Sequence, residues 1–214
     1  MTSISVSNVF KTIWRRPSQT FEAILADSND PEIDQIAMPF FIVSGIGGGL
    51  DNASLRNLGD KIESLPLLIG LASLGGIFSA FLGLYLYLWL FKHTNKWFGG
   101  TGDADRIKTA LLWGMLPFAA TALLWIPSLL LIGMDNFTES MPRVDSNSTL
   151  FVLWAILLLI ELGLLIYCYI IWLKGIGRAC GFSAWKALKM SIVSTVLILL
   201  PIVAIILLIV FINR

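Results

Sequence analysis

Long apolar runs dominate this sequence and restrict the chain to a membrane environment. A membrane-spanning helix needs about 20 mainly apolar residues, because the hydrocarbon core is roughly 30 Å thick and each helical residue rises about 1.5 Å. Four runs reach that length, at 65–91, 107–134, 150–173 and 190–212. Hydrophobic residues make up 57% of the chain and charged residues 14%, against roughly 25% charged in an average soluble domain. The sequence therefore predicts an all-α, polytopic membrane helix bundle.

A fifth apolar run, 36–50, leaves two interpretations open. At the helical rise it reaches only about 22 Å, unless the polar residues at 34–35 and 51–52 extend it into the interfaces. Its glycines, at 45 and 47–49, either thin a spanning helix for close packing or leave the segment partly unwound. Counting this run, we expect a five-helix membrane domain at 35–214, preceded by a cytoplasmic segment at 1–34.

The distribution of Lys and Arg predicts the orientation of the five spans. Cytoplasmic loops are enriched in these residues, and here they concentrate in the N-terminal segment and in the second and fourth loops. They are Lys11, Arg15, Arg16, Lys92, Lys96, Arg106, Lys108, Lys174, Arg178, Lys186 and Lys189. The opposite side receives Arg56, Lys61, Arg143 and Arg214. We therefore expect the N-terminus inside and the C-terminus outside, with Asn95 and Gly181 inside and Asn57 and Asp145 outside.

The segment before the first span has the pattern of two short amphipathic helices separated at Pro17. Apolar residues recur at spacings of three and four, and Pro17 biases Arg16 out of the helical region. Basic residues beside the apolar stripe favour a position in the headgroup plane. The candidate membrane-surface contacts are Phe10, Trp14, Arg15, Arg16 and Phe21. The alternative is packing against the cytoplasmic loops. No apolar core or small-residue cleavage site follows the early basic residues, so we do not expect a signal peptide.

Several functional classes are disfavoured by what the sequence contains. The chain has one histidine, His93, and a formal net charge of +1, so a histidine-based metal site, a catalytic triad and nucleic-acid binding are not expected. The glycine-rich run at 99–103 lacks both the preceding strand and the Gly-Lys-Ser/Thr ending of a phosphate-binding loop. We therefore expect neither an enzyme nor a cofactor.

Glu161 is the acidic residue deepest within a long apolar run. A charged group at the bilayer centre costs at least about 2.5 kcal/mol on insertion scales, so Glu161 should face the bundle interior. It either takes part in transport or proton relay, or it fixes helix packing through a hydrogen bond to a residue such as Ser73, Ser79 or Thr121. Small residues at 72, 76 and 80, and again at 75, 79 and 83, should bring neighbouring helices close together.

Three stretches together resemble the Yip family of Ypt/Rab-interacting multi-pass membrane proteins, in the form found in bacteria. The first is Trp14-Arg15-Arg16-Pro17 with Thr20-Phe21. The second runs from Trp97-Phe98-Gly99-Gly100 to Lys108 and includes Pro117-Phe118. The third combines Leu173-Lys174, Gly181-Phe182-Ser183 and Lys186-Ala187-Leu188.

The resemblance implies a five-helix membrane domain with a cytoplasmic N-terminus, in agreement with the charge distribution. Eukaryotic members are associated with Rab GTPases and vesicle traffic, and a bacterial-type member would reside in the inner (plasma) membrane. We expect a scaffold or membrane organiser that acts through membrane lipids, membrane-protein partners or a second copy of the chain; the alternative is a small-solute or lipid transporter that uses Glu161. The candidate interaction loops contain Trp97, Gly99, Gly100, Gly102, Lys108, Lys174, Gly181, Phe182, Ser183 and Lys186.

Overall fold

In a computed structural model, which describes residues 6–212, the chain is a bundle of α-helices. Five helical segments of the described chain are long and apolar enough to cross a membrane, which confirms the predicted all-α bundle with five spans. The helices are α1 Val6–Arg15, α2 Pro17–Ala26, α3 Pro31–Leu55, α4 Leu65–Trp97, α5 Ala104–Trp113, α6 Leu116–Thr121, α7 Trp125–Leu131, α8 Pro142–Asp145, α9 Ser148–Cys180 and α10 Ala184–Ile212. The third span consists of α5, α6 and α7.

The first span is longer than its hydropathy suggests. Asp30 caps α3 by accepting a hydrogen bond from the Glu32 amide (2.9 Å), and Pro31 occupies the first helical turn. The 25 residues of α3 reach about 37 Å at the helical rise, which is sufficient to cross the hydrocarbon core. The glycine-rich segment remains helical, so the partly unwound alternative is wrong.

Close contact between α3 and α4 explains those glycines. A Cβ at Gly76 would lie 2.7 Å from the Gly49 Cα atom, and one at Gly45 would lie 3.1 Å from the Ala80 Cβ atom. The first predicted small-residue stripe of α4 therefore packs against α3. The second stripe brings no helix into close contact, because a Cβ at Gly75 or Gly83 would meet no atom within 4 Å.

The third span, which is one apolar run at 107–134 in the sequence, is divided into three helices in the structure. Helix α5 ends at Trp113, α6 begins at Leu116, and residues 122–124 form a 3-10 turn before α7. Pro117 and Pro127 lack the backbone N–H that an uninterrupted α-helix would use, which accounts for breaks in this part of the chain. Pro39 and Pro201, in contrast, lie within continuous helices.

The spans alternate in direction, which gives the bundle two ends. We call the end that carries α1, α2 and the 98–103 and 181–183 connections the N-terminal face, and the end that carries the 56–64 and 132–147 connections the opposite face. Helices α4 and α9 each have 33 residues, about 50 Å at the helical rise, and exceed the hydrocarbon thickness. Most of the protein core lies among their ends at the N-terminal face, around residues such as Phe91, Trp113 and Ile176.

Within the expected bilayer, large apolar side chains point outward. On α4 the exposed residues Leu71, Leu74, Phe78, Leu82 and Tyr85 recur at spacings of three and four, as expected for one face of a helix. Acyl chains would cover such a stripe. This pattern is consistent with a multi-pass integral membrane protein.

Candidate functional site

The two N-terminal helices pack onto the N-terminal face of the bundle. Helix α1 buries Val9 and Ile13, and α2 buries Phe21, Ile24 and Leu25. The Phe21 ring fills the space beside Gly175 of α9, where an added Cβ would lie 2.5 Å from the ring. These apolar contacts hold the amphipathic segment against the long helices.

Polar contacts complete the attachment of α1 and α2. The Tyr167 hydroxyl donates to the Trp14 carbonyl, and the two rings stack with a centroid separation of 6.1 Å. Glu22 pairs with Arg178 at 2.6 Å, and the Arg106 guanidinium donates to the Leu25 carbonyl at 3.2 Å. The N-terminal segment is therefore joined to both the third and the fourth spans.

This attachment corrects one predicted membrane contact. Phe21 is 0% exposed and lies within the protein core, so its ring is not available to lipid. Phe10 is 43% exposed, Arg15 and Arg16 are exposed, and Trp14 is partly buried against Tyr167. The apolar stripe of α1 and α2 thus packs against the long helices, and the basic residues beside it remain on the protein surface.

The two glycine-rich connections at the N-terminal face interlock. The Thr101 amide donates to the Cys180 carbonyl at 3.0 Å, and a Cβ at Gly102 would lie 2.6 Å from the Ala179 carbonyl oxygen. Likewise, a Cβ at Gly100 would approach the Phe182 ring to 2.9 Å. Gly99 and Gly181 adopt positive φ, of 73° and 77°, which glycine tolerates. These four glycines therefore shape the loops and offer no side chain to a partner.

Other predicted interaction residues remain accessible around the interlocked loops. Trp97 is 66% exposed, and Ser183 is also exposed. Trp185, which was not among the predicted interaction residues, lies two positions beyond Ser183 and is 75% exposed. The Lys186 ammonium donates to the Phe98 carbonyl at 3.5 Å, which links the two connections. Lys174 is half-buried near the end of α9. We call the exposed side chains of Trp97, Ser183, Trp185 and Lys186 the loop platform.

Lys108 has a different environment from that of the platform. Its ammonium pairs with the Asp34 carboxylate at 2.8 Å, and the Thr109 hydroxyl donates to the same carboxylate at 2.8 Å. Asp34 is 7% exposed, so this carboxylate is buried where it meets its two partners. The interaction fixes the start of α3 against α5, so Lys108 is already engaged by the protein. In the sequence, only the position of Asp34 just before the first apolar run indicates that it could anchor the start of α3.

A second candidate site is a cleft in the membrane half nearer the opposite face. It has a volume of about 750 Å³ and is bounded by the glycine-rich part of α3, the first half of α4, the broken third span and α9. Asp51, Arg56 and Glu161 line it. The Trp125 indole N–H donates to one Asp51 carboxylate oxygen at 2.8 Å. The cleft thus combines an apolar wall with three ionisable groups.

Glu161 lies where α9 faces this cleft, and Ser79 and Thr121, two of its suggested partners, line the same space. The Thr121 hydroxyl instead donates to the Phe118 carbonyl of its own helix at 2.8 Å. Within residues 6–212, the Glu161 carboxylate has no hydrogen-bond partner. Sequence reasoning did not identify Asp51 or Arg56, because each lies near a helix end that hydropathy treats as an ordinary boundary.

Comparison with known proteins places this architecture in a family. A search of curated proteins and a search of solved structures each found no match to the chain. The model of the Yip1 domain matches residues 11–207, from within α1 to within α10, and the matched residues include α2, both interlocked loops and the first four spans in full. The chain therefore belongs to the Yip1 domain family.

Proposed function

We propose that this protein is a non-enzymatic membrane scaffold or organiser that acts through partners at its N-terminal face. The observation that carries the proposal is the loop platform, where Trp97 and Trp185 are exposed beside two interlocked connections. A rigid backbone that presents accessible aromatic side chains suits a binding surface, because little conformational entropy is lost on association. Membrane proteins, lipids or a second copy of the chain are the partners in this proposal.

The proposal places the N-terminal face in the cytoplasm. Support comes from the basic residues of this face, including Lys11, Arg15, Lys96 and Lys189, which are exposed there. On this assignment the C-terminus lies outside, and the family resemblance favours a bacterial inner membrane. Phe10, Trp14, Arg15 and Arg16 would then lie close to the cytoplasmic headgroups.

Packing at the N-terminal face supports a scaffold over a transporter. A transporter needs a polar path through the bilayer, and the membrane cleft extends only over the half nearer the opposite face. Between the cleft and the N-terminal face, the described residues form a packed apolar core that includes Phe91, Ile107 and Trp113, each 0% exposed. Solute passage would require that core to open.

Site-specific photocrosslinking tests the scaffold proposal. A photoreactive residue at Ser183 should give reproducible adducts with a membrane partner or with a second copy, and the substitution Trp185→Ala should abolish them because it removes the more exposed of the platform's two tryptophans. The same probe at Glu139, which is exposed on the opposite face, is the matched control.

Two outcomes would contradict the scaffold proposal. One is identical adducts from positions 183 and 139, or adducts that are insensitive to Trp185→Ala. The other is substrate-dependent flux in liposomes that disappears in a folded Glu161→Ala variant, which would favour transport.

A further inference from the structure

The membrane cleft has a shape and a chemistry that the loop platform does not share. Its wall on α4 is open toward the surroundings, because the lining residues Leu71 and Gly75 are exposed. Leu68, Leu71 and Leu165 contribute apolar surface. Arg56 is exposed and lies near the end of the cleft at the opposite face. The cleft is therefore accessible both to the bilayer and to the headgroup region.

The carboxylates in the cleft require a counter-charge or a proton in this environment. Asp51 has one oxygen bonded to the Trp125 indole, and Glu161 has no hydrogen-bond partner within the described chain. Acidic groups at membrane depth are costly when they are left unpaired. A bound cationic group with several N–H donors would satisfy both carboxylates simultaneously.

We propose that the cleft binds the headgroup of a phospholipid that carries a primary ammonium. The ammonium lies between Asp51 and Glu161, the phosphate pairs with Arg56, and the acyl chains leave along the leucine-lined wall. This site is separate from the loop platform and goes beyond the proposed scaffold function. A volume of about 750 Å³ lies within the usual range of ligand pockets, roughly 300–1,000 Å³.

A lipid fits these observations better than other occupants do. An apolar helix from a second copy would cover Asp51 and Glu161 without supplying donors, which leaves two acidic groups unsatisfied. A soluble amine would satisfy the carboxylates but would supply no phosphate to Arg56. A choline headgroup has the positive charge and the phosphate but no N–H donor, so it cannot form the ammonium hydrogen bonds.

Native mass spectrometry of the full-length protein in detergent tests the assignment. Dioleoyl phosphatidylethanolamine and dioleoyl phosphatidylcholine are titrated separately, so that only the headgroup differs. We expect the wild type to prefer the ethanolamine lipid by roughly tenfold or more, the size that charge-assisted hydrogen bonds produce. Glu161→Gln should lose the preference, because it removes the charge and keeps the shape. Glu139→Gln, an exposed acid outside the cleft, should retain it.

Arg56→Gln provides an independent readout, because both lipids carry a phosphate. It should weaken binding of the two lipids to a similar extent and leave their ratio unchanged. If Glu161→Gln does not fold, the wild-type headgroup ratio and Arg56→Gln still decide the question. The proposal is overturned by a wild type without headgroup preference, by a preference that persists in folded Glu161→Gln, by equal competition from soluble glycerophosphoethanolamine, or by a dimer that excludes lipid.

Discussion

Replacement of Phe21 by alanine should lower the free energy of unfolding by about 3–5 kcal/mol, as expected for the loss of a fully buried aromatic ring. Phe21 is 0% exposed and packs against Gly175, which has no side chain to fill the resulting cavity. The loss should also loosen α2 from α9, where the pair between Glu22 and Arg178 is largely accessible to solvent and contributes little on its own.

The matched control is Phe10→Ala, which removes the same ring from a position that is 43% exposed. Thermal unfolding of the purified proteins in one detergent, followed by loss of the monodisperse species, should show a large decrease for Phe21→Ala and a small one for Phe10→Ala. Equal stability of the two variants would mean that α2 does not pack on the bundle as described.

The second large effect is expected at the α3–α4 contact, where Gly76→Ala should destabilise the bundle by about 1–3 kcal/mol or more. The new Cβ would lie 2.7 Å from the Gly49 Cα atom and 2.8 Å from the Gly49 nitrogen. Both are backbone atoms, so the two helices must separate and lose the close packing that holds apolar helices together in lipid.

Gly83→Ala is the control for this substitution, since it lies on the same helix and its Cβ would meet no atom within 4 Å. Expression level and melting temperature should decrease for Gly76→Ala and remain near wild type for Gly83→Ala. A harmless Gly76→Ala would contradict the close approach of α3 and α4.

The sequence is sufficient for the number of spans and for the amphipathic character of the first two helices, because both follow from local hydrophobic periodicity. The ends of the helices are less predictable. Helix α9 was expected over 150–173 and extends to Cys180, because its final turns pack against α2 and no longer depend on a continuous apolar run.

Long-range pairing explains what the sequence leaves open in the candidate sites. Asp34 meets Thr109 across 75 positions of the chain, and Asp51 meets Trp125 across 74. Neither contact can be recognised from the residues that neighbour its partners in the sequence. The glycines of the two connections were predicted to belong to interaction loops, and the structure shows that those loops contact each other. Glu161 was identified from local sequence because an acid within an apolar run is conspicuous by itself.

Cysteine accessibility tests most directly the proposed cytoplasmic position of the N-terminal face. Lys96 and Asp145 are exposed at opposite ends of the bundle, whereas the native Cys168 and Cys180 are buried. A membrane-impermeant maleimide should label Asp145→Cys in intact cells and Lys96→Cys only in inverted vesicles, with the parent protein as the background control. Labelling of Lys96→Cys from outside, together with protection of Asp145→Cys, would contradict the account.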